Sequence, residues 1–414
     1  MIRDRRVVLA LLTALNFLNY IDRAVISAVI DPMSASLGLS HFQAGVLNSA
    51  FLIGYFATSP LFGARADKGA RKGLITLGVV IWSLGTVASG FAPEFWTLLA
   101  ARVVVGVGES AFNVLAPTII DDITPPDRKG RALAIYFLAL PLGYALGYIL
   151  GGAIGNHWGW RAAFFGCGGP GIVLALTCLL IEEPARKLAD ARARLLDGLR
   201  EIARLPQFRR AVLGYAAYAG SVGAFSFWAP SFLVNRFPDA LNLKTANFWF
   251  GLVLIAAGAI GTFAGGRWTD RKLMRLPQAA PDDPFDAPPH KAAVNVQLWV
   301  CAIGMVAAAP LAAACFVVPT PKAFFVLTFL VEIGLFLSTS PIAAACLRAV
   351  PVERRASAMA GSIFAIHLLG DLWSPAALGL LQDLLSPRIV LAMMVLPLTF
   401  AWCAYLWWPR RHEA

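Results

Sequence analysis

The sequence predicts an all-α polytopic membrane protein with twelve transmembrane helices arranged as two six-helix bundles. Three observations predict it: an apolar composition, twelve runs of spanning length, and a repeat that relates the two halves. At 58% hydrophobic and 14% charged over 414 residues, the chain has more apolar surface than a soluble core of that size uses. The runs fall at 7–30, 42–63, 73–92, 96–120, 132–155, 162–181, 211–235, 246–268, 293–318, 323–347, 357–381 and 388–408. Each can cross a hydrocarbon core of about 30 Å as a helix.

The repeat fixes the grouping. Gly63-Ala64-Arg65-Ala66-Asp67-Lys68 follows the second run, and Gly266-Arg267-Trp268-Thr269-Asp270-Arg271 follows the eighth. Pro125-Pro126-Asp127-Arg128-Lys129 after the fourth run has its counterpart in Pro351-Val352-Glu353-Arg354-Arg355 after the tenth. Matching positions in the two halves predict parallel bundles over 1–181 and 211–414, joined by a polar cytoplasmic linker over 182–210, with a moving seam around a central cavity. A second polar loop at 277–289 is rich in Pro, Ala and Asp.

Charge sets the orientation. Of the 35 Lys and Arg residues, only Arg161, Arg236, Lys244, Lys322 and Arg388 fall in the alternate set of loops, and Arg23 and Arg102 lie within runs. The positive-inside rule then places both termini in the cytoplasm, in a plasma or bacterial inner membrane. The net charge of +11 comes from short segments between runs, where lipid headgroups explain it better than nucleic acid does. Cys167, Cys178, Cys301, Cys315, Cys346 and Cys403 sit in apolar runs without metal-ligand spacing and read as small buried hydrophobes. The chain is expected to need no metal or cofactor and to work as a monomer. The basic N-terminus resembles the start of a signal peptide, but the run behind it is too long and carries Asp22 and Arg23, so it is expected to be retained.

The chemistry is concentrated in ions inside apolar runs. Asn19-Tyr20-Ile21-Asp22-Arg23 places a carboxylate and a guanidinium deep in the first run, where ions face a bundle interior or a cavity, pair, and mark a substrate or proton path. Asn16, Asn19 and Arg23 share one helical face. In the fourth run, Arg102 and Glu109 are seven residues apart and again share a face, while Gly106 and Gly108 admit close helix neighbours. At about 1.5 Å per residue, Asp22 and Arg23 lie about 23 Å from the cytoplasmic end, Glu109 about 16 Å and Arg102 about 27 Å, so the four can meet. Burial and the two arginines act in opposite directions on a carboxyl's hold on its proton. Glu109 is therefore the first proton-carrier candidate and Asp22 the second. Arg23 and Arg102, with Asn19, Tyr20 and Asn113, form the expected substrate-facing set. His367 and Asp371, one turn apart in the eleventh run, form a possible second proton site or a satisfied packing pair. Glu332 in the tenth run is expected to line the other half of the cavity, near Phe324, Phe325, Phe329 and Phe336. Phe225, Phe227 and Trp228 on the seventh run extend an apolar side that suits an acyl tail or faces lipid.

Gly63, Ala66, Asp67, Lys68, Arg71 and Lys72 resemble the loop signature Gly-x-Leu-Ala-Asp-Arg-x-Gly-Arg-Arg/Lys of the major facilitator superfamily, with Arg65 in place of Leu and Ala70 in place of Gly. The resemblance implies a gating role for Asp67, with Arg71 in the motif, Arg128 or Arg131 as partners and Asp270 as the repeat's counterpart. Arg102-x-x-x-Gly106-x-Gly108 resembles the superfamily's fourth-helix pattern. Gly143, Gly147, Gly151 and Gly152 resemble its fifth-helix motif, with Tyr148 where Pro is expected, and read first as a packing seam. Asn19-Tyr20-x-Asp22-Arg23, Gly106-x-Gly108-Glu109-Ser110, Ala116-Pro117-Thr118-Ile119-Ile120-Asp121-Asp122 and the block His367 to Pro375 together resemble the Spinster branch. That likeness implies proton-linked movement of lysophospholipids or sphingosine phosphates by alternating access. Small organic anions such as sugar acids are the alternative cargo. An enzyme acting on lipids is disfavoured because no Ser-His pair or metal-ligand set converges at one depth.

Overall fold

The computed structural model describes residues 4–66, 71–125, 128–182, 200–277, 287–351 and 354–409. Each of the twelve apolar runs lies on helix, and among the described residues eleven helical stretches are long and apolar enough to cross a membrane. The seventh run lies on a 31-residue helix, Pro206–Arg236, whose Gly, Ser and Tyr residues dilute its apolar character.

Among the described residues the helices are α1 (Arg5–Ala28), α2 (Ile30–Leu37), α3 (His41–Ala66), α4 (Arg71–Phe91), α5 (Phe95–Ile123), α6 (Lys129–Phe137), α7 (Ala139–Trp158) and α8 (Trp160–Cys178). They continue with α9 (Pro206–Arg236), α10 (Leu243–Leu273), α11 (Pro288–Val317), α12 (Pro321–Phe336), α13 (Thr339–Arg348), α14 (Arg355–Ile366), α15 (Ser374–Leu385), α16 (Ile389–Met393) and α17 (Val395–Trp407). A π-helical turn, His367–Asp371, links α14 to α15.

Several runs are split by proline. A proline removes one intrahelical bond and crowds the carbonyl four residues earlier. α1 stops at Ala28, four before Pro32; α6 at Phe137, four before Pro141; the π turn at Asp371, four before Pro375; and α16 at Met393, four before Pro397. Pro60, Pro117, Pro170, Pro230 and Pro310 sit inside continuous helices, so the break depends on what neighbouring helices allow. Helix starts are capped locally. Asp4 accepts from the Arg6 amide at 2.8 Å, Glu94 and Thr97 form a capping box on α5, and Thr320 accepts from Ala323.

The packing sorts into two compact units: residues 1–188 with 227–252, and residues 189–226 with 253–414. In the first, α5 packs against both α3 and α4, α4 against α8, and α1 against α7. Between helices in lipid the driving force is close van der Waals contact rather than the hydrophobic effect, so small residues decide where backbones approach. A Cβ on Gly106 would sit 1.7 Å from the Phe51 carbonyl oxygen of α3, and one on Gly108 2.3 Å from the Gly78 carbonyl oxygen of α4. These glycines thus serve two different neighbours. Gly143, Gly147 and Gly151 form one seam on α7, against Tyr20, Ala24 and Ala28 of α1. Leu12, Leu15, Val79, Trp82, Val105 and Phe112 fill the core beside them, with Trp82 edge-on to Phe112. In the second unit α11 packs against α12, α13 and α17, with Gly304 and Gly334 back to back. All six cysteines are buried and free.

Candidate functional site

The first unit gathers the ions of α1 and α5. Arg23 donates through Nε and Nη2 to Glu109 Oε2, at 2.9 and 2.6 Å. The same guanidinium lies 4.6 Å from the Phe51 ring and 5.3 Å from the Tyr20 ring, a cation held by one carboxylate and two π faces. Tyr20 in turn packs on Tyr144 of α7. Asp22 points toward α4, where Thr86 donates to its Oδ2 at 2.5 Å. Asp22 and Arg102 are each 1% exposed, and Asn19 and Glu109 are 0% exposed.

This cluster is under-satisfied. Among the described residues, Arg102 Nε and Nη1, Asp22 Oδ1, Glu109 Oε1 and both amide atoms of Asn19 are buried without a hydrogen-bond partner. A native interior leaves few such groups, and each costs about 1–3 kcal/mol, more if charged. Asn16, on the same stripe, is partly satisfied: its amide nitrogen donates to the Tyr136 carbonyl at 3.0 Å and ties α1 to α6, while its Oδ1 is buried without a hydrogen-bond partner among the described residues.

Asn113 is half-buried on α5. Glu332 is 1% exposed in the second unit, and its Oε1 has no hydrogen-bond partner among the described residues. His367 Nδ1 and Asp371 Oδ2 pair at 2.9 Å across the π turn of the second unit. Such a turn widens the helix by one residue, and Gly370 at its centre packs on the Ala216 carbonyl.

Of the residues given a gating role, Asp67 lies outside the described residues. Arg71 is buried and pairs with Asp122 at 2.7 Å and with Thr118 at 3.1 Å. Arg128 and Arg131 are exposed near the start of α6, and Asp270 is exposed on the last turns of α10. The linker residues 183–199 and most of the 277–289 loop also lie outside the described residues.

Sequence reasoning missed Thr86, because a threonine on an apolar helix is an ordinary packing residue until the acid facing it is known. It also missed the Arg71–Asp122 pair and the group around Asp31. Asp31, on α2, accepts at Oδ1 from Ser231 at 2.5 Å and Asn235 at 3.1 Å, both on the final turns of α9. Burial pushes its carboxyl above the usual carboxylate range, opposed by those two donors and by His41.

Among the described residues, eleven helical stretches long and apolar enough to cross a membrane, with ions buried among them, mark an integral membrane protein. Residues 12–360 match the family model described as Major Facilitator Superfamily. Human "Protein spinster homolog 1" is 30% identical, with 96% of this chain and 78% of that protein covered. "Probable sphingolipid transporter spinster homolog 2" of Arabidopsis thaliana is 28% identical over 94% of this chain and 84% of that protein. The fold is also similar to a crystal structure of a bacterial homolog of the human lysosomal transporter Spinster. That match has a TM-score of 0.81, 24% identity, and 97% and 94% of the two chains covered. A D-xylose-proton symporter shares the fold at TM-score 0.75 and 15% identity, over 97% and 96% of the two chains. The chain belongs to the major facilitator superfamily, in its Spinster-like branch. It is a transporter and not an enzyme.

Proposed function

We propose that this protein is a proton-coupled secondary transporter of an amphiphilic anion, a lysophospholipid or related lysolipid, working by alternating access in a plasma or bacterial inner membrane with both termini cytoplasmic. The observation that carries the reading is the buried cluster in which Arg102, Asn19, Asp22 and Glu109 all keep unpartnered polar atoms while Arg23 holds Glu109. A permanently closed structural pair has no use for such groups. A cargo headgroup that visits and leaves does.

The cluster suggests a sequence of events. With Glu109 ionised, its Oε2 takes one donor each from Nε and Nη2 of Arg23, and the guanidinium is held on α5. A proton on Glu109 removes the charge that holds Arg23. Arg23 is then available, with Arg102, to donate in bidentate fashion to a phosphate. Asp22, steadied by Thr86, is the second place a proton can reside. Two sites that exchange proton and anion tie the movement of one to the other. Asp67, Arg71, Arg128, Arg131 and Asp270 are proposed to control opening at the cytoplasmic end. His367, Asp371 and Glu332 are proposed to serve the second bundle. The lipid class rests on the Spinster likeness, including a relative named for sphingolipid transport, and on the aromatic ring contacts around Arg23.

The test is competition in proteoliposomes under an inward proton gradient. Labelled lysophosphatidylglycerol is expected to accumulate and to be displaced by other lysolipids but not by gluconate. Gluconate uptake, with no lysolipid movement or binding, favours the sugar-acid reading and refutes the lipid one.

A further inference from the structure

A second concentration of arginine lies apart from the buried cluster. Arg5 and Arg6 at the start of α1, and Arg128 and Arg131 at the start of α6, line a pocket of about 280 Å³. Its remaining wall is made by Thr124 and the apolar Leu9, Pro125, Ala132 and Ile135. All four arginines are exposed, so their guanidinium groups reach solvent and whatever sits beside the helix ends. Arg128 is placed by the turn in which its amide bonds the Pro125 carbonyl at 2.9 Å.

Three acids of α1 and α5 among the described residues are already used. Asp4 caps α1 through the Arg6 amide, Asp121 pairs with Lys129 at 2.6 Å, and Asp122 pairs with Arg71. Among the described residues, Arg5, Arg6 and Arg131 are in no ion pair. Like charges brought together at one concave place repel unless an anion joins them. Guanidinium groups are the donors best matched to phosphate oxygens. The volume is just under the range for drug-sized ligands, so it suits a headgroup rather than a whole lipid. The start of a spanning helix lies at headgroup depth.

We propose that this pocket binds a phosphate-bearing anion, either the headgroup of an anionic phospholipid in the adjoining leaflet or a soluble phosphate. Bound there, the anion neutralises the arginines and clamps the start of α1 to the α5–α6 turn. The site is separate from the transport cluster and stands whether or not the cargo is a lysolipid.

The experiment titrates the purified full chain, in neutral detergent, with dioctanoyl phosphatidylglycerol in one arm and inorganic phosphate in the other, reading thermal unfolding by tryptophan fluorescence. Wild type, R5Q/R6Q, R128Q/R131Q and a remote control, R388Q, are compared. Removing two basic groups is expected to raise the half-saturating concentration about thirtyfold in either double variant, with R388Q unchanged. The pairs change exposed side chains on two separate helices, so either one alone decides the matter, and unfolding without ligand reports that each is folded. Stabilisation by the lipid alone assigns a headgroup; equal stabilisation by inorganic phosphate assigns the soluble anion. No stabilisation of wild type by either probe, or a response the double variants keep in full, overturns the proposal.

Discussion

Glu109→Gln separates the charge of the central pair from its shape. Glu109 receives two hydrogen bonds from Arg23, both on Oε2. A hydrogen bond to a charged group contributes about 1.5–3 kcal/mol and a neutral one about 0.5–1.5 kcal/mol, so the amide loses about 1 kcal/mol per bond, about 2 in all. Glu109→Ala removes the acceptor and leaves Arg23 uncompensated at a side chain only 11% exposed, a loss of about 3–5 kcal/mol. The expected order of stability in detergent is therefore wild type, then Gln, then Ala, with Gln still folded. Since Gln cannot take up a proton, the pH dependence of lysolipid uptake should be lost in Glu109→Gln. The reasoning is refuted if Glu109→Gln keeps the wild-type pH profile, or if Glu109→Ala unfolds no earlier than wild type.

Further expectations follow from the same packing and charge arguments. Gly106→Ala pushes a methyl into the Phe51 carbonyl and should lower the melting temperature. Gly73→Ala meets nothing within 4 Å and should be neutral or stabilising by up to about 1 kcal/mol; paired thermal melts compare the two. Arg71→Ala removes a buried guanidinium from Asp122, whose carboxylate is partly exposed and can be rehydrated, and should cost about 1.5–3 kcal/mol, less in an Asp122→Asn background; a double-mutant cycle reads the coupling. Asp31 binds its proton more tightly folded than unfolded, so the stability it contributes is present at low pH and lost as pH rises above the ordinary carboxylate range. Asp31→Asn, whose amide oxygen can still accept from Ser231 and Asn235, should be at least as stable as wild type at pH 7.5 and should melt with a shallower pH dependence; a wild-type slope retained in the variant would remove Asp31 as its source.

The spanning helices were legible because length and apolarity determine them: each of the twelve runs falls on helix. The glycines of α5 and α7 were legible as approach points, but which helix each faces was not. Residues 106 and 108 differ by 200° around a helix of 3.6 residues per turn, enough to send one to α3 and the other to α4. The helix breaks could have been read from the prolines, yet five other prolines leave their helices intact, so the local signal does not decide. Counting rise per residue brought Arg23 and Glu109 to compatible depths, and the structure places them 2.6 Å apart. Thr86 and Asp122 escaped because their roles exist only once a partner 64 or 51 residues away is placed beside them. Contacts so distant in sequence leave no periodic trace.

The central claim is that protons and cargo exchange at one buried ion cluster. Its most direct measurement is proton flux in proteoliposomes loaded with a pH-sensitive dye, recorded when lysophosphatidylglycerol is supplied without any imposed gradient. The account predicts a lysolipid-dependent pH change in the lumen that disappears in Glu109→Gln and is reduced in Asp22→Asn. Lysolipid movement with no accompanying proton flux, or flux that both variants retain in full, would contradict it.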